Sequence, residues 1–214
     1  MQKTGMIFLA ALIGVTGVAV VAVEKKPIKT LNFDSDKPGE TAAGFKGEAG
    51  EWKVVADETA PSKPHVLAQL AKSDEQTFNV ALLTEPVAKN VDVRVKFRMA
   101  GGKIDQGGGV IWRAKDAKNY YLCRYNPLEG NIRVYKVIDG ARTIIHSVEN
   151  VEETPGWQTL RVVTRDHRIE GHLNGEARLS FLDEALPDAG KVGLWSKADA
   201  QTHFDDLELE VMDR

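Results

Sequence analysis

The sequence predicts an all-β protein built as a sandwich of two antiparallel sheets. Short segments of alternating apolar and polar residues follow one another along most of the chain, and this two-residue period is typical of half-buried strands. Turn signals such as Asp139-Gly140, Pro155-Gly156 and Asn174-Gly175 separate the segments. No convincing long helix interrupts them. Many short strands with regular turns favour a single β-sandwich or jelly roll.

The clearest strand is Val91–Met99, where apolar residues alternate with charged ones. Segments with the same but weaker pattern are predicted as strands at Thr30–Phe33, Glu51–Val55, Gln158–Thr164, Arg168–Leu173, Glu176–Phe181, Lys191–Trp195 and Thr202–Val211. Pro64–Ser73 is ambiguous, because Val66, Leu67 and Leu70 also suit a helix. The flanking prolines and the all-β setting favour a strand there.

Composition narrows the class of protein. The chain has 214 residues, of which 43% are hydrophobic and 28% charged, as in ordinary soluble globular proteins. A net charge of −3 gives no bias toward nucleic acid. The single cysteine, Cys123, excludes an intramolecular disulfide and a cysteine-rich zinc site. We therefore expect Cys123 to be a small buried apolar residue.

The N-terminus predicts export to the periplasm or the cell exterior. Lys3 precedes the apolar run Met6–Val23, and small residues stand at −3 and −1 for cleavage after Ala22. We interpret residues 1–22 as a signal peptide, 23–29 as a linker and 30–214 as the sandwich domain, with no membrane contact after cleavage. The alternative is an uncleaved membrane anchor, because the run approaches spanning length.

The segment Gly107–Val137 is predicted to form three strands whose side chains sort into two unlike faces. Hairpins that pair Arg113 with Tyr120 and Asn126 with Asn131 place directly opposed residues on one face. The face predicted to point into the core carries Val110, Trp112, Tyr121, Cys123, Tyr125, Ile132 and Val134.

The opposite face has the chemistry of a carbohydrate groove. Arginine offers bidentate donors, tyrosine a flat apolar surface with a polar tip, and asparagine both a donor and an acceptor. The candidate ligand-binding residues are Arg113, Tyr120, Arg124, Asn126, Asn131, Arg133 and Tyr135, with Trp195 as a further stacking residue. If Val91–Met99 pairs beside Gly107–Ala114, its outward basic residues extend this surface. The alternative is that the arginines form salt bridges with carboxylates of adjacent strands.

The last predicted strand contributes two further candidate sites. His203 and Asp205 share a face by alternation and are candidate catalytic residues as an acid–base pair. Asp206 lies in an outward row of carboxylates that, together with Asp34, is a candidate structural calcium site. A solvated or salt-bridged row is the alternative we favour, so we predict no cofactor. No nucleophile motif, phosphate loop or dinucleotide fingerprint is present.

Several separated motifs resemble one known fold family. In order they are Gly107–Val137, Gly156–Val162, Asn174-Gly175, Gly190–Trp195 and Phe204–Leu207. Together they resemble the concanavalin A-like jelly roll of bacterial exported proteins, and within it the 3-keto-disaccharide hydrolase-type, glycoside-hydrolase-like domain. The resemblance covers Thr30–Val211. It implies a sandwich related to lectins, laminin-G-like modules and enzymes.

Three functions follow from these observations. The leading hypothesis is an exported carbohydrate-recognition domain with a saccharide partner bound on its arginine-, asparagine- and tyrosine-rich concave face. The resemblance implies the second, a hydrolase or lyase acting on 3-keto-disaccharide-type sugars, although the Glu-x-Asp-x-x-Glu strand of retaining β-glucanases is absent from the sequence. The third is a non-catalytic structural or protein-interaction module.

Overall fold

The computed structural model describes residues 28–212 and consists of strands joined by turns and loops. The first eight strands are β1 (Lys29–Leu31), β2 (Phe45–Ala49), β3 (Trp52–Ala56), β4 (His65–Gln69), β5 (Phe78–Ala88), β6 (Val91–Gly101), β7 (Gly108–Asp116) and β8 (Asn119–Asn126). The others are β9 (Asn131–Ile138), β10 (Ala141–Glu149), β11 (Gln158–Arg165), β12 (Arg168–Leu173), β13 (Glu176–Leu182), β14 (Gly190–Lys197) and β15 (Gln201–Val211).

The strands form two antiparallel sheets, which confirms the predicted fold class. The eight-stranded sheet has the order β13-β12-β11-β6-β15-β4-β3, and β1 pairs with β15. The seven-stranded sheet has the order β10-β9-β8-β7-β14-β5-β2. Strands that are distant along the chain lie side by side in both sheets, as expected of a jelly roll.

The core lies between the two sheets and contains the apolar face predicted for β7, β8 and β9. All seven residues of that face are fully buried. Trp112 stacks on Tyr121 with ring centroids 5.4 Å apart, and from the opposite sheet Phe97 stacks on Phe204 at 6.2 Å. Burial raises the pKa of the Cys123 thiol to about 12, so this cysteine packs as an apolar residue, as predicted.

Every predicted strand is present, and the ambiguous window contains the strand β4. Three strands were not predicted: Phe45–Ala49, Phe78–Ala88 and Ala141–Glu149. Asn79–Leu83, within the second of these, is buried residue after residue, because both faces of this strand are covered. A strand buried on both faces shows no polar–apolar alternation, so the two-residue period is missing there.

The expected pairing of Val91–Met99 beside Gly107–Ala114 is wrong. β6 lies between β11 and β15 in the eight-stranded sheet, whereas β7 lies between β8 and β14 in the other sheet. The glycine-containing link between them therefore crosses from one sheet to the other. The outward basic residues of β6 lie on the far side of the sandwich from the predicted saccharide face.

The predicted signal peptide, residues 1–22, and residues 23–27 of the predicted linker lie outside the described residues. Regular structure begins at Lys29, one residue before the predicted start of the domain. Residues 28–212 contain no helix long and apolar enough to cross a membrane.

Candidate functional site

The outer face of the seven-stranded sheet is concave. Arg142 on β10 and Phe78 on β5 are five strand spacings apart, which is about 24 Å in a flat sheet at about 4.8 Å per strand. Nevertheless, Cζ of Arg142 lies 5.0 Å from the centroid of the Phe78 ring. Two side chains cannot span the flat distance, so the sheet curls and brings its outer strands toward each other.

Four rings line this concave face and form what we call the aromatic cluster: Phe78, Tyr120, Tyr135 and Trp195. Phe78 and Trp195 are in contact, with centroids 5.7 Å apart. The Arg142 guanidinium covers the rings, 4.4 Å from the centroid of Tyr135 and 5.8 Å from that of Trp195. Cations over aromatic faces are attracted by the ring quadrupole, so Arg142 is held in place by the cluster it covers.

Two polar atoms of the aromatic cluster are buried without a well-formed hydrogen bond. Nε1 of Trp195 and the hydroxyl of Tyr120 are neighbours, and the indole N–H offsets part of the effect of burial on the pKa of that hydroxyl. Within residues 28–212, however, neither atom reaches hydrogen-bond geometry with any group, although both side chains are fully buried. Burial raises the pKa of the Tyr120 hydroxyl, so it remains a neutral donor. Such orphaned groups cost free energy unless a ligand or water satisfies them.

A network of charged and amide side chains adjoins the aromatic cluster, and we call it the polar network. Arg124, which is 2% exposed, is its centre. The guanidinium donates to the Tyr135 hydroxyl at 3.1 Å, to the Asn131 carbonyl oxygen at 3.1 Å and to Glu129 at 2.7 Å. Through the contact with Tyr135, Arg124 joins the polar network to the aromatic cluster.

Arg133 completes the network at its solvent side. It donates to Glu129 at 3.0 Å, to Glu149 at 3.0 Å and to the Ser147 hydroxyl at 2.9 Å. The arginines of this face are therefore paired with carboxylates, as the alternative interpretation expected. The partners come from the turn after β8 and from β10, a strand that the sequence did not reveal.

Two carboxylates of the network lie close together. Asn126 donates through its single Nδ2 to Asp105 at 3.2 Å and to Glu129 at 3.3 Å, so these two oxygens are at most 6.5 Å apart, the sum of those distances. Burial raises the pKa of Asp105. Burial also tends to raise the pKa of Glu129. The charge of Arg124 and the hydrogen bond from Asn131 outweigh burial and hold that pKa below its usual value.

The sequence pattern did not identify Asp105 and Glu129 as candidate site residues, because both lie in loops. Asp105 is in the link between β6 and β7, and Glu129 is in the turn between β8 and β9. Loop residues have no side-chain period from which a face can be predicted. The Asn126–Asn131 pairing that encloses Glu129 was predicted correctly and was the available signal.

Seven of the eight candidate ligand-binding residues share the concave face: Tyr120, Arg124, Asn126, Asn131, Arg133, Tyr135 and Trp195. Trp195 lies beside Gly109, on the same face as Gly193, as predicted. Gly109 is paired with Trp195 on one side and with Arg124 on the other. A Cβ at this position would lie only 2.9 Å from Cβ of Arg124, so the close packing of these strands requires glycine.

Arg113 is placed elsewhere. The expected pairing with Tyr120 does not form, because the register shifts after Trp112 and Arg113 adopts a left-handed φ of 48°. The guanidinium turns toward the loops and donates to the carbonyl oxygens of Lys89 at 2.9 Å and Leu186 at 3.1 Å, and also to that of Asp166. Arg113, 3% exposed, fastens three loops together.

His203 and Asp205 do not form an acid–base pair with each other. Nδ1 of His203 lies 2.7 Å from Asp57, which also accepts from Arg98 at 2.6 Å. Asp205 accepts instead from the backbone N–H of Ser62 at 2.8 Å. Burial lowers the pKa of His203 against the opposing effect of Asp57, and burial raises the pKa of Asp205.

The two candidate calcium ligands have other partners. Asp206 forms a salt bridge with Lys96 at 2.8 Å, and Asp34 accepts from the backbone N–H of His65 at 3.1 Å. In the part of the chain that the structure describes, no group of three or more histidine, cysteine or acidic side chains is arranged to hold a metal ion. Asp206 and Glu208, two of the three outward carboxylates of β15, form salt bridges with Lys96 and Arg94, as the alternative interpretation expected.

Comparison with known proteins identifies the fold. No protein-family model matches the sequence, and no functionally curated protein is similar to it. Among solved structures, the carbohydrate-binding module CBM66 from Bacillus subtilis is similar with a TM-score of 0.66 and 17% identity, covering 78% of this chain and 95% of that chain. A Bacillus subtilis protein of unknown function with a galectin-like fold has a TM-score of 0.61 and 12% identity, covering 78% and 88%.

The VIP36 exoplasmic/lumenal domain, in its Ca2+/Man-bound form, has a TM-score of 0.58 and 12% identity and covers 86% of this chain and 91% of that chain. At such identities the similarity establishes the fold alone. The protein is a concanavalin A-like or galectin-like jelly-roll β-sandwich.

Proposed function

We propose that this protein is a carbohydrate-recognition domain that binds a saccharide on the concave outer face of its seven-stranded sheet. The observation that carries the proposal is the aromatic cluster, in which the buried polar atoms of Trp195 and Tyr120 make no well-formed hydrogen bond and lie beside a network of guanidinium, amide and carboxylate groups. Sugar rings present apolar C–H faces and peripheral hydroxyls, and this surface offers both kinds of contact. Solved structures with the same fold include proteins described as a carbohydrate-binding module and as a mannose-bound domain.

The position of Arg142 indicates how a sugar would enter. Its guanidinium covers three of the rings without forming a salt bridge within residues 28–212. A long side chain held by cation–π contacts alone can swing aside at a modest cost. A pyranose ring would then stack where the guanidinium lay, and its hydroxyls would accept from Trp195 Nε1 and the Tyr120 hydroxyl.

Two neighbouring tyrosines provide a matched test. Tyr120→Phe removes an unpartnered hydroxyl on the concave face, so we expect saccharide affinity to fall by roughly 2–10-fold with no loss of stability. Tyr121→Phe removes a hydroxyl on the core side that donates to Asp183 and accepts from the Leu186 N–H at 3.0 Å. This variant should lose stability and keep its affinity.

Screening on a glycan array followed by calorimetric titration supplies the measurement. Trp195→Ala should abolish binding, whereas Trp157→Ala, on the other side of the sandwich, should not. Failure of the protein to bind any saccharide, or equal affinity losses in the two tyrosine variants, would refute the proposal. Saccharide-independent capture of a protein partner would support the structural or interaction module instead.

Hydrolysis is a second candidate function, favoured by the paired carboxylates. A carboxyl with a raised pKa beside one with a lowered pKa is the arrangement of a general acid and its ionised partner, and the separation of at most 6.5 Å borders the range of glycosidases. Asp105 would protonate the glycosidic oxygen while Glu129 accepts a proton from the water that attacks the anomeric carbon. The substrate class is the 3-keto-disaccharide that the sequence resemblance implies.

Turnover of a 3-keto-disaccharide, followed by release of the free sugars, tests this function separately from binding. We expect Asp105→Asn and Glu129→Gln to abolish turnover, and His203→Gln to leave it intact because His203 lies on the other sheet. Binding without turnover would eliminate the hydrolase and leave the recognition domain. Turnover unchanged in both carboxylate variants would eliminate this pair as the catalytic groups.

Export is part of the same proposal. The apolar run and the small residues before position 23 predict a signal peptide, and an exported protein would meet a saccharide partner outside the cytoplasm. N-terminal sequencing of the protein recovered from the periplasm or medium should begin at Val23. Recovery of the intact chain in the membrane fraction would favour the uncleaved anchor.

A further inference from the structure

A second groove crosses the outer face of the eight-stranded sheet, on the opposite side of the sandwich from the proposed saccharide face. It consists of two adjoining cavities of about 230 and about 450 Å³, which share Arg94 and Arg161 as lining residues. The larger volume is within the range of small-molecule sites. It far exceeds the roughly 30 Å³ that one water molecule occupies.

The strand register places basic side chains in a row across this groove. Arg94 of β6 is directly opposite Arg161 of β11, and Arg161 is directly opposite His172 of β12. Directly opposed residues have Cβ atoms about 5 Å apart, where like charges are unfavourable. A sheet that places two arginines there needs anions to compensate them.

The carboxylates of the protein compensate the two arginines unequally. Asp92 accepts two hydrogen bonds from Arg161, and Glu170 and Glu210 also contribute to raising the pKa of Arg161. Arg94, by contrast, donates no hydrogen bond within residues 28–212; it is 44% exposed, and its paired carboxylate, Glu208, is 3.6 Å away. Nε2 of His172 is buried and makes no hydrogen bond among the same residues, and the Glu170 carboxylate lies 4.0 Å from it. The Arg94 guanidinium is therefore the group available to an incoming ligand.

The two cavities differ in charge. The larger is lined by Arg94, Thr159, Arg161, His172, Asn174 and Gly175 and has no carboxylate in its lining. The smaller adds the carboxylates of Asp92, Glu208 and Glu210, which accept hydrogen bonds from hydroxyls but repel anions. A ligand that fits both has an oxoanion at one end and hydroxyl groups at the other.

We propose that this groove binds a sugar bearing a carboxylate or sulfate group. The oxoanion would sit in the larger cavity against Arg94, because arginine donates in a fork that matches two anion oxygens. The sugar hydroxyls would donate to the carboxylates of the smaller cavity. The site is independent of the concave face.

Titration of the full chain with glucuronate, glucose and inorganic sulfate, followed by NMR or calorimetry, tests the proposal. We expect saturable binding of glucuronate that weakens with ionic strength, displacement by sulfate, and no binding of glucose to this groove. Arg94→Gln should weaken glucuronate binding about tenfold or more. The matched control is Arg178→Gln, which removes an exposed arginine paired with Glu176 on the edge strand of the same sheet, and it should change nothing.

Tyr120→Phe separates the two sites, because it should leave glucuronate binding untouched whatever happens to neutral saccharides. Binding of sulfate without glucuronate would overturn the sugar assignment. Absence of glucuronate binding, equal binding of glucose that is lost in Arg94→Gln, or equal weakening by Arg94→Gln and Arg178→Gln would overturn the site.

Discussion

Glu129→Gln tests whether the polar network stabilises the fold. The substitution keeps the shape of the side chain but leaves the buried guanidinium of Arg124 without its counterion, which lies 2.7 Å away. A hydrogen bond to a charged group contributes about 1.5–3 kcal/mol. Because Glu129 is 38% exposed, solvent screening reduces this, and we expect the free energy of unfolding to fall by about 1–2 kcal/mol.

Urea denaturation at pH 7 measures that loss, and scanning calorimetry should show it as a decrease in Tm of roughly 2–8 °C. Glu149→Gln is the matched control: it also contacts Arg133 but is 49% exposed and has no salt bridge to Arg124, so its loss should be clearly smaller. Equal losses in the two variants, or none in Glu129→Gln, would refute the reasoning.

The pH dependence of the free energy of unfolding provides a further test of the role of Glu129. The pKa of Glu129 is lower in the folded protein than its usual value of 4.5, so the unfolded chain binds the proton more readily. Its contribution to stability is therefore complete above pH 4.5 and disappears as the pH falls through the folded pKa. The difference between wild type and Glu129→Gln should narrow in that acidic window.

Three further predictions concern the scaffold. Arg113→Met leaves three loop carbonyl oxygens without their charged donor and should lower the free energy of unfolding by about 3 kcal/mol or more in urea denaturation, with a smaller loss for Arg113→Lys. Cys123, fully buried and with its thiol pKa raised to about 12, should resist a thiol reagent at pH 8 until denaturant is added; rapid labelling of the native protein would contradict this. Gly190→Ala places a Cβ 2.3 Å from the carbonyl carbon of Arg113 and should lower Tm or prevent folding.

The sequence was sufficient for the fold class and for one face of the seven-stranded sheet. The alternation of apolar and polar residues predicts a strand and its buried face where one side of the strand is buried and the other is polar, as in β6. In a hairpin such as β8 and β9, directly paired residues share a face, so the prediction for one strand extends to the next. It fails for β5, which is covered on both sides, and for the pairing of β6, which depends on contacts with distant parts of the chain.

A local backbone change accounts for the displacement of Arg113 from its predicted face. Arg113 has a left-handed φ of 48° at a bulge where the alternation is reset. No pattern in this segment of the sequence predicts the bulge. The carboxylates that hold His203 and Arg124 come from a loop and a turn, and only the folded chain brings them together.

The position of β15 determines when the eight-stranded sheet can be completed. This strand, Gln201–Val211, is formed late in the chain but lies in the middle of the eight-stranded sheet, between β6 and β4, and also pairs with β1. Until it has been synthesised, β6 and β4 have no common neighbour and β1 has no partner. The eight-stranded sheet can therefore be completed only after β15 has been synthesised, by closing loops that span most of the described residues, and its folding should be slow compared with that of helical proteins of similar length.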